Sequence, residues 1–112
     1  MNDKTRSRIE DTLEAARLIQ TWASSDSFEQ IVSDPKVESA YMHQFVRIGE
    51  TLRIVRDLDP EFAETIPHVH QWIGLRHRLI HDYREIDLEL LWTSSQVEVS
   101  FLITLLEQLL EA

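Results

Sequence analysis

Apolar residues recur at intervals of three and four along most of the chain, which is the spacing of an amphipathic α-helix. The clearest series lies in the second quarter of the chain and comprises Tyr41, Phe45, Ile48, Leu52 and Val55. Together these series predict four long helices, over residues 5–23 and 35–57, from Pro67 onward and from Asp87 onward.

Residues that typically start helices mark the boundaries of these segments. Asp34 and Asp59 each precede a proline, and an Asp N-cap followed by Pro at the first helical position is a frequent helix start. The second of these signals predicts a short helix that runs through Thr65. A capping box that starts at either Asp26 or Ser27 predicts another short helix between the first two long ones.

Four long amphipathic helices with short connections predict an all-α fold, an antiparallel four-helix bundle with one or two short extra helices. A chain of 112 residues is long enough for one such unit and too short for two, so we expect residues 1–112 to form a single helical domain. The apolar faces are wide for a bundle of this size, which favours self-association, most simply as a two-fold homodimer.

The composition narrows the choice of compartment and chemistry. The chain has no cysteine, which excludes disulfides and cysteine-based metal sites or nucleophiles. The N-terminus is polar and no apolar run approaches membrane-spanning length, so we expect a cytoplasmic protein without a membrane partner.

The net charge of −9 would ordinarily count against a nucleic-acid partner, but the charge is segregated along the chain. Residues 65–81 contain no acid and hold two Arg and four His, whereas residues 85–112 contain six acids and no Lys or Arg. This pattern is also typical of a solvated acidic helix beside a neutral one, so charge alone does not identify the partner.

The densest chemical cluster is the octapeptide 76–83, whose sequence is Arg-His-Arg-Leu-Ile-His-Asp-Tyr. Arginine can stabilise the charge of a phosphorane, and an imidazole can move protons near neutral pH, as phosphodiester cleavage requires. On a regular helix Arg76 and His81 lie ~140° apart, so a shared pocket requires a helix end or distortion near His81, or a second subunit. Arg76 and Tyr83 are seven residues apart and are expected on one helix face.

Each of these residues also has a structural interpretation. Arg76 can pair with an acid from the second or the fourth long helix, and His81 can interact favourably with a helix C-terminus. Tyr83 can be an aromatic residue at the edge of the core. The three tryptophans lie near apolar helical positions and are expected in the core rather than as platforms for stacked bases.

A metal site is the other use of closely spaced histidines. The spacings of His68 with His70 and of His77 with His81 both permit metal binding. No carboxylate lies in the preceding stretch to complete a ligand set, so we expect no metal.

The order Arg76, four residues, His81, one residue and Tyr83 resembles the Arg-x4-His-x-Tyr signature of HepT-like toxins in the HEPN superfamily. The residue after the arginine is often asparagine in that family and is His77 here. The likeness extends over most of the chain, through Ile48-Gly49-Glu50, Pro67 with Trp72, and Ile86-Asp87 with Leu91-Trp92. It implies a HEPN-like homodimer that acts on RNA as a metal-independent endoribonuclease without a cofactor.

The resemblance also implies roles for individual residues. Arg76 and His81 would be catalytic, and His77 and Arg78 would position RNA. Tyr83 would accept AMP from a MntA-like nucleotidyltransferase antitoxin, which would silence the toxin. Two alternatives stay open: a non-catalytic HEPN module that binds nucleotides or the transferase, and an octapeptide that serves only as an interface salt-bridge network.

Overall fold

The computed structural model describes residues 1–111, and every regular element in that range is helical. The seven α-helices are α1 (Asp3–Ala23), α2 (Phe28–Ser33), α3 (Pro35–Leu58), α4 (Pro60–Ala63), α5 (Val69–His81), α6 (Leu88–Gln96) and α7 (Glu98–Glu111). A 3₁₀ turn over Tyr83–Glu85 follows α5. The predicted all-α class is confirmed.

The predicted helix starts are formed by the side chains that the sequence singled out. The Asp34 carboxylate accepts a hydrogen bond from the Lys36 amide at 2.9 Å, with Pro35 in the first turn of α3. The Ser27 alternative of the two capping boxes is the one that forms, with Gln30 as its partner. These contacts satisfy amide groups that have no partner within their own helix.

Three boundaries differ from the sequence prediction. The short helix α4 ends at Ala63 rather than at Thr65, and α5 begins at Val69 rather than at Pro67. His68 adopts a left-handed conformation with φ of 63°, which breaks the helical path between Pro67 and α5. The predicted last helix is divided at Val97 into α6 and α7.

The long helices pack as a row rather than as a closed ring. Helix α3 packs against α1 on one side and α5 on the other, and α7 packs against the outer side of α1. The core between them includes Ile9, Phe45, Leu52, Val55, Val99 and Leu106, all fully buried. Since α5 does not pack closely against α6 or α7, a groove remains open between them.

Helices α3 and α5 come very close together at Gly49, where they cross. A Cβ added to Gly49 would lie 2.3 Å from the Cβ of Arg76 and 2.8 Å from the carbonyl oxygen of Trp72. Only glycine fits this distance, and the crossing therefore sets the position of Arg76 relative to α3.

The aromatic residues support the core, as predicted. Trp72 is buried and stacks on Phe45 with 6.2 Å between ring centroids. Trp22 and Trp92 are partly buried and pack against the same core. Within residues 1–111, no helix has the length and apolar character needed to cross a bilayer.

Candidate active site at the end of helix α5

The octapeptide lies at the C-terminal end of α5 and continues into the turn beyond it. Helix α5 is regular through His81 and ends there, with Asp82 as its C-cap. The expectation that Arg76 and Tyr83 share a helix face is wrong, because Tyr83 lies in the 3₁₀ turn and not on α5. Arg76 and His81 do belong to one helix, so within one subunit their positions are separated by a rotation of ~140° about the helix axis.

Arg76 is held against α3 by an ion pair. Its Nε lies 2.6 Å from Oε2 of Glu50, and the Arg76 side chain is 26% exposed. The Nε atom is buried and its N–H is not aligned for a hydrogen bond, so the contact is electrostatic. Among residues 1–111, the two terminal nitrogens of Arg76 donate no hydrogen bond, and the closest contact of the ion pair is through Nε.

Glu50 is shared between two arginines. Its Oε1 accepts a hydrogen bond from Nη2 of Arg53 at 2.7 Å, and Arg53 also contacts Asp57 at 2.9 Å. The hydrogen bond from Arg53 lowers the pKa of Glu50, and the positive charge of Arg76 lowers it further against the opposing effect of burial. Glu50 therefore stays ionised at neutral pH.

The two histidines of the octapeptide form a pair on the exposed side of α5. The rings of His77 and His81 lie 4.5 Å apart between centroids and are inclined by 46°. Both residues are exposed, and His81 lies in the last turn, where free carbonyl groups favour a cation. An imidazole in this position is accessible to a ligand from solvent.

Arg78 faces a different surface from the histidine pair. It lines the groove between α5 and the α6–α7 pair, which has a volume of about 870 Å³. The walls are mainly apolar and include Trp72, Leu75, Leu91, Phe101, Leu102 and Leu105. Neither Arg76 nor His81 lines this groove, so one subunit does not gather the whole octapeptide around a single cavity.

Tyr83 projects from the turn after α5. The residue is 53% exposed, and the guanidinium of Arg84 lies 5.8 Å from the centroid of its ring. In the part of the chain that the structure describes, the Tyr83 hydroxyl has no hydrogen-bond partner, unlike that of Tyr41, which donates to Asp26 at 2.9 Å. Tyr83 is therefore the more accessible of the two tyrosines.

Two other histidines, His68 and His70, do not join this site. His70 contacts Glu64 at 2.7 Å near the start of α5. His68 forms the N-cap of α5 in its left-handed conformation and gives no side-chain cap. Over residues 1–111 no three His, Asp or Glu side chains lie close enough together to hold a metal ion.

Glu50 is the site residue to which sequence reasoning assigned no role. The segment Ile48-Gly49-Glu50 was part of the family resemblance, and an acidic partner for Arg76 from the second long helix was one structural interpretation. Glu50 and Arg76 are 26 positions apart, so only the packing of α3 on α5 identifies the pair.

Comparisons with known proteins agree with the resemblance. A family model described as "Ribonuclease HepT-like" matches residues 12–109. The chain is 31% identical over 90 residues to "Putative RNase MJ0127" of Methanocaldococcus jannaschii, covering 78% of this chain and 71% of that protein. It is 26% identical over 93 residues to "Probable ribonuclease HepT" of Thermococcus cleftensis, covering 81% of this chain and 82% of that protein.

A third relative is "Putative RNase TTE0752" of Caldanaerobacter subterraneus, which is 28% identical over 96 residues. That alignment covers 84% of this chain and 83% of the relative. No solved structure matches the chain.

Proposed function

The chain belongs to the HepT-like ribonuclease family, and from this membership we propose that it is a metal-independent endoribonuclease. It acts in the cytoplasm as the toxin of a HepT/MntA-type toxin–antitoxin pair. The observation that carries the proposal is the state of Arg76, whose Nε lies 2.6 Å from Glu50 while its terminal nitrogens donate no hydrogen bond to the described residues. A guanidinium held in this way presents a free two-donor edge to a phosphate.

The chemistry assigned to the two catalytic residues is an internal transesterification of RNA. His81 accepts the proton of the ribose 2′-hydroxyl while the 2′-oxygen forms a bond to the adjacent phosphorus. The bond from phosphorus to the 5′-oxygen breaks, and that oxygen takes up a proton from water. The products are a 2′,3′-cyclic phosphate and a 5′-hydroxyl, and Arg76 stabilises the negative charge that develops on the phosphoryl oxygens.

A homodimer completes this site. Within one subunit Arg76 and His81 point in different directions from α5, so a two-fold axis beside this helix would bring His81 of one subunit towards Arg76 of the other. An exposed apolar surface supports self-association, because Phe101 beside the groove is 73% exposed.

His77 and Arg78 position RNA in this scheme. The ring of His77 lies against that of His81, and this contact supports a role for His77 beside the cleaved phosphate. Arg78 is on the groove side of α5 and contacts the RNA backbone further from the cleaved bond.

Tyr83 is the acceptor for AMP from a MntA-like nucleotidyltransferase antitoxin. Its exposed hydroxyl supports this role, since the phenolic oxygen must attack the α-phosphorus of ATP while pyrophosphate leaves and the phenolic proton passes to a base. The attached AMP adds a phosphate charge two residues from His81, which repels and obstructs RNA.

The nuclease proposal is tested by cleavage of a synthetic single-stranded RNA by wild type and two site variants. We expect His81→Ala to slow cleavage by about 10²–10⁴-fold and Arg76→Ala by about 10²–10³-fold. His70→Ala is the matched control, because His70 is exposed on the same helix and pairs with Glu64. Equal cleavage by all four proteins would remove the octapeptide from the reaction, and binding of nucleotide or transferase without cleavage would support a non-catalytic HEPN module.

The modification is tested separately by mass spectrometry after incubation with the cognate transferase and ATP. Wild type and Tyr41→Phe should each gain adenylyl groups, whereas Tyr83→Phe should gain none. Tyr41 is a suitable control because it is buried and bonded to Asp26. Equal labelling of Tyr83→Phe would contradict the assignment.

A further inference from the structure

The crossing at Gly49 fixes the backbone of residue 50 beside the base of the Arg76 side chain. Because a Cβ at Gly49 would lie only 2.3 Å from that of Arg76, the two helices are in direct backbone contact here. The next residue along α3 is Glu50, and its carboxylate reaches the guanidinium at 2.6 Å. The crossing therefore sets the separation of the two backbones from which this ion pair extends.

The carboxylate contacts a particular part of the guanidinium. Its Oε2 lies nearest the buried Nε, on the side of the group next to the helix, and neither terminal nitrogen donates a hydrogen bond within residues 1–111. An arginine side chain has several rotatable bonds, and holding Nε removes most of that freedom before a phosphate arrives. The orientation of the guanidinium plane, and with it the direction of the terminal nitrogens, is then set.

Arg53 holds the other side of the carboxylate. Its Nη2 donates to Oε1 of Glu50 at 2.7 Å, and its Nε is 3.3 Å from the second oxygen. The carboxylate is therefore held between two cations, and Arg53 also contacts Asp57 at 2.9 Å.

We infer that Glu50 is a positioning residue for RNA cleavage, an inference that rests on the proposed nuclease function. Glu50 fixes Arg76 through Nε so that the terminal nitrogens face the phosphoryl oxygens of the transition state. This assigns a negatively charged residue a favourable role at a site that binds a polyanion. Preorganisation explains why this negative charge favours the reaction, because a fixed cation stabilises developing charge without reorganising during the reaction.

The test is the steady-state kinetics of Glu50→Gln, which retains the shape of the side chain and removes its charge. We expect kcat to fall by about tenfold while KM for RNA changes by less than about twofold. Simple charge removal predicts the opposite, a lower KM with unchanged kcat, since one repulsive charge is lost. Glu14→Gln is the charge-matched control, because Glu14 is exposed and pairs with Arg47 away from Arg76; it should retain wild-type kcat.

A double-mutant cycle separates positioning from a general structural role. Lysine carries its charge on a single terminal ammonium and has no planar guanidinium for the ion pair to orient, so Glu50→Gln should lower kcat less in an Arg76→Lys background than in wild type. Equal reductions in both backgrounds would overturn the inference. If Glu50→Gln does not fold, Glu50→Asp replaces it, since the shorter carboxylate should lower kcat with KM retained, and wild-type kcat would overturn the inference.

The outcomes for Glu50 and for the nuclease are distinguishable. A wild-type protein that does not cleave RNA contradicts the proposed function itself. Cleavage by wild type together with unchanged kcat in Glu50→Gln contradicts only the role of Glu50.

Discussion

Replacement of Gly49 by alanine tests the helix crossing on which the geometry of Arg76 depends. The added methyl carbon would lie 2.3 Å from the Cβ of Arg76 and 2.8 Å from the carbonyl oxygen of Trp72. Non-bonded carbon atoms require roughly 3.5 Å, so the two helices must separate locally by about 1 Å. Neither atom belongs to the flexible end of a side chain, so a change of rotamer does not remove the clash.

The expected loss in the free energy of unfolding follows from two opposing effects. Overpacking of a tight contact costs about 1–3 kcal/mol, and the higher helix propensity of alanine returns about 1 kcal/mol. The net loss is therefore about 0–2 kcal/mol. With about 2.1 cal/mol/K of unfolding entropy per residue, a chain of this length loses about 4 °C of Tm for each kcal/mol, so Tm should fall by up to about 8 °C.

Gly74→Ala is the matched control for thermal unfolding followed by circular dichroism. Gly74 is the other glycine of the chain, and a Cβ there meets nothing within 4 Å. This substitution should raise Tm by up to about 4 °C, because it carries the propensity gain without the clash. An equal rise in Tm for Gly49→Ala would refute the close crossing of α3 and α5.

Three further predictions concern caps, titration and metal dependence. Asp34→Ala should lower the free energy of unfolding by about 1 kcal/mol in urea titrations, whereas Ser39→Ala, at an exposed position within α3, should change it by less than about 0.5 kcal/mol. Burial and the neighbouring Asp26 raise the pKa of Tyr41 in the folded protein. Its contribution to stability is therefore complete below pH 10 and is lost as pH rises above 10. Tyr41→Phe should remove this alkaline loss in unfolding curves, and an identical loss in the variant would count against the interpretation. Cleavage of RNA should persist in excess EDTA, and its abolition by the chelator would contradict a metal-independent reaction.

Most of the helices could be predicted because their signals are local. The apolar spacing in α3 and the Asp-Pro pairs at its two ends act over a few residues, and the structure places α3 within one residue of the prediction. Asp87, from which the sequence predicts the last helix to run, is the N-cap of α6. Periodicity and capping chemistry need no knowledge of tertiary packing.

The differences arise where tertiary structure decides the conformation. Val97 divides the last helix without a glycine or proline, and the division lets α6 contact α2 while α7 packs along α1. His68 adopts a left-handed conformation that is uncommon for a residue other than glycine. Neither departure has a signal in the local sequence.

The candidate site also has features that the sequence predicts and features that only the packing decides. Its chemical residues could be recognised from the spacing within one octapeptide, since all of them lie close in sequence. The directions in which their side chains point could not be predicted, because they depend on α5 ending at His81 and on α3 supplying Glu50 to Arg76. The end of α5 separates Tyr83 from the helix face of Arg76, and the ion pair joins residues from different helices.

The central claim is that Arg76 of one subunit and His81 of another cleave RNA together, and mixed dimers test it most directly. Arg76→Ala and His81→Ala subunits are co-expressed, and RNA cleavage by the mixture is compared with that of each variant alone and of wild type. Half of randomly paired dimers then contain both kinds of subunit, and each of these retains one site with both catalytic side chains. The account predicts that the mixture regains about a quarter of wild-type activity. A mixture no more active than either variant alone, beside an active wild type, would contradict it.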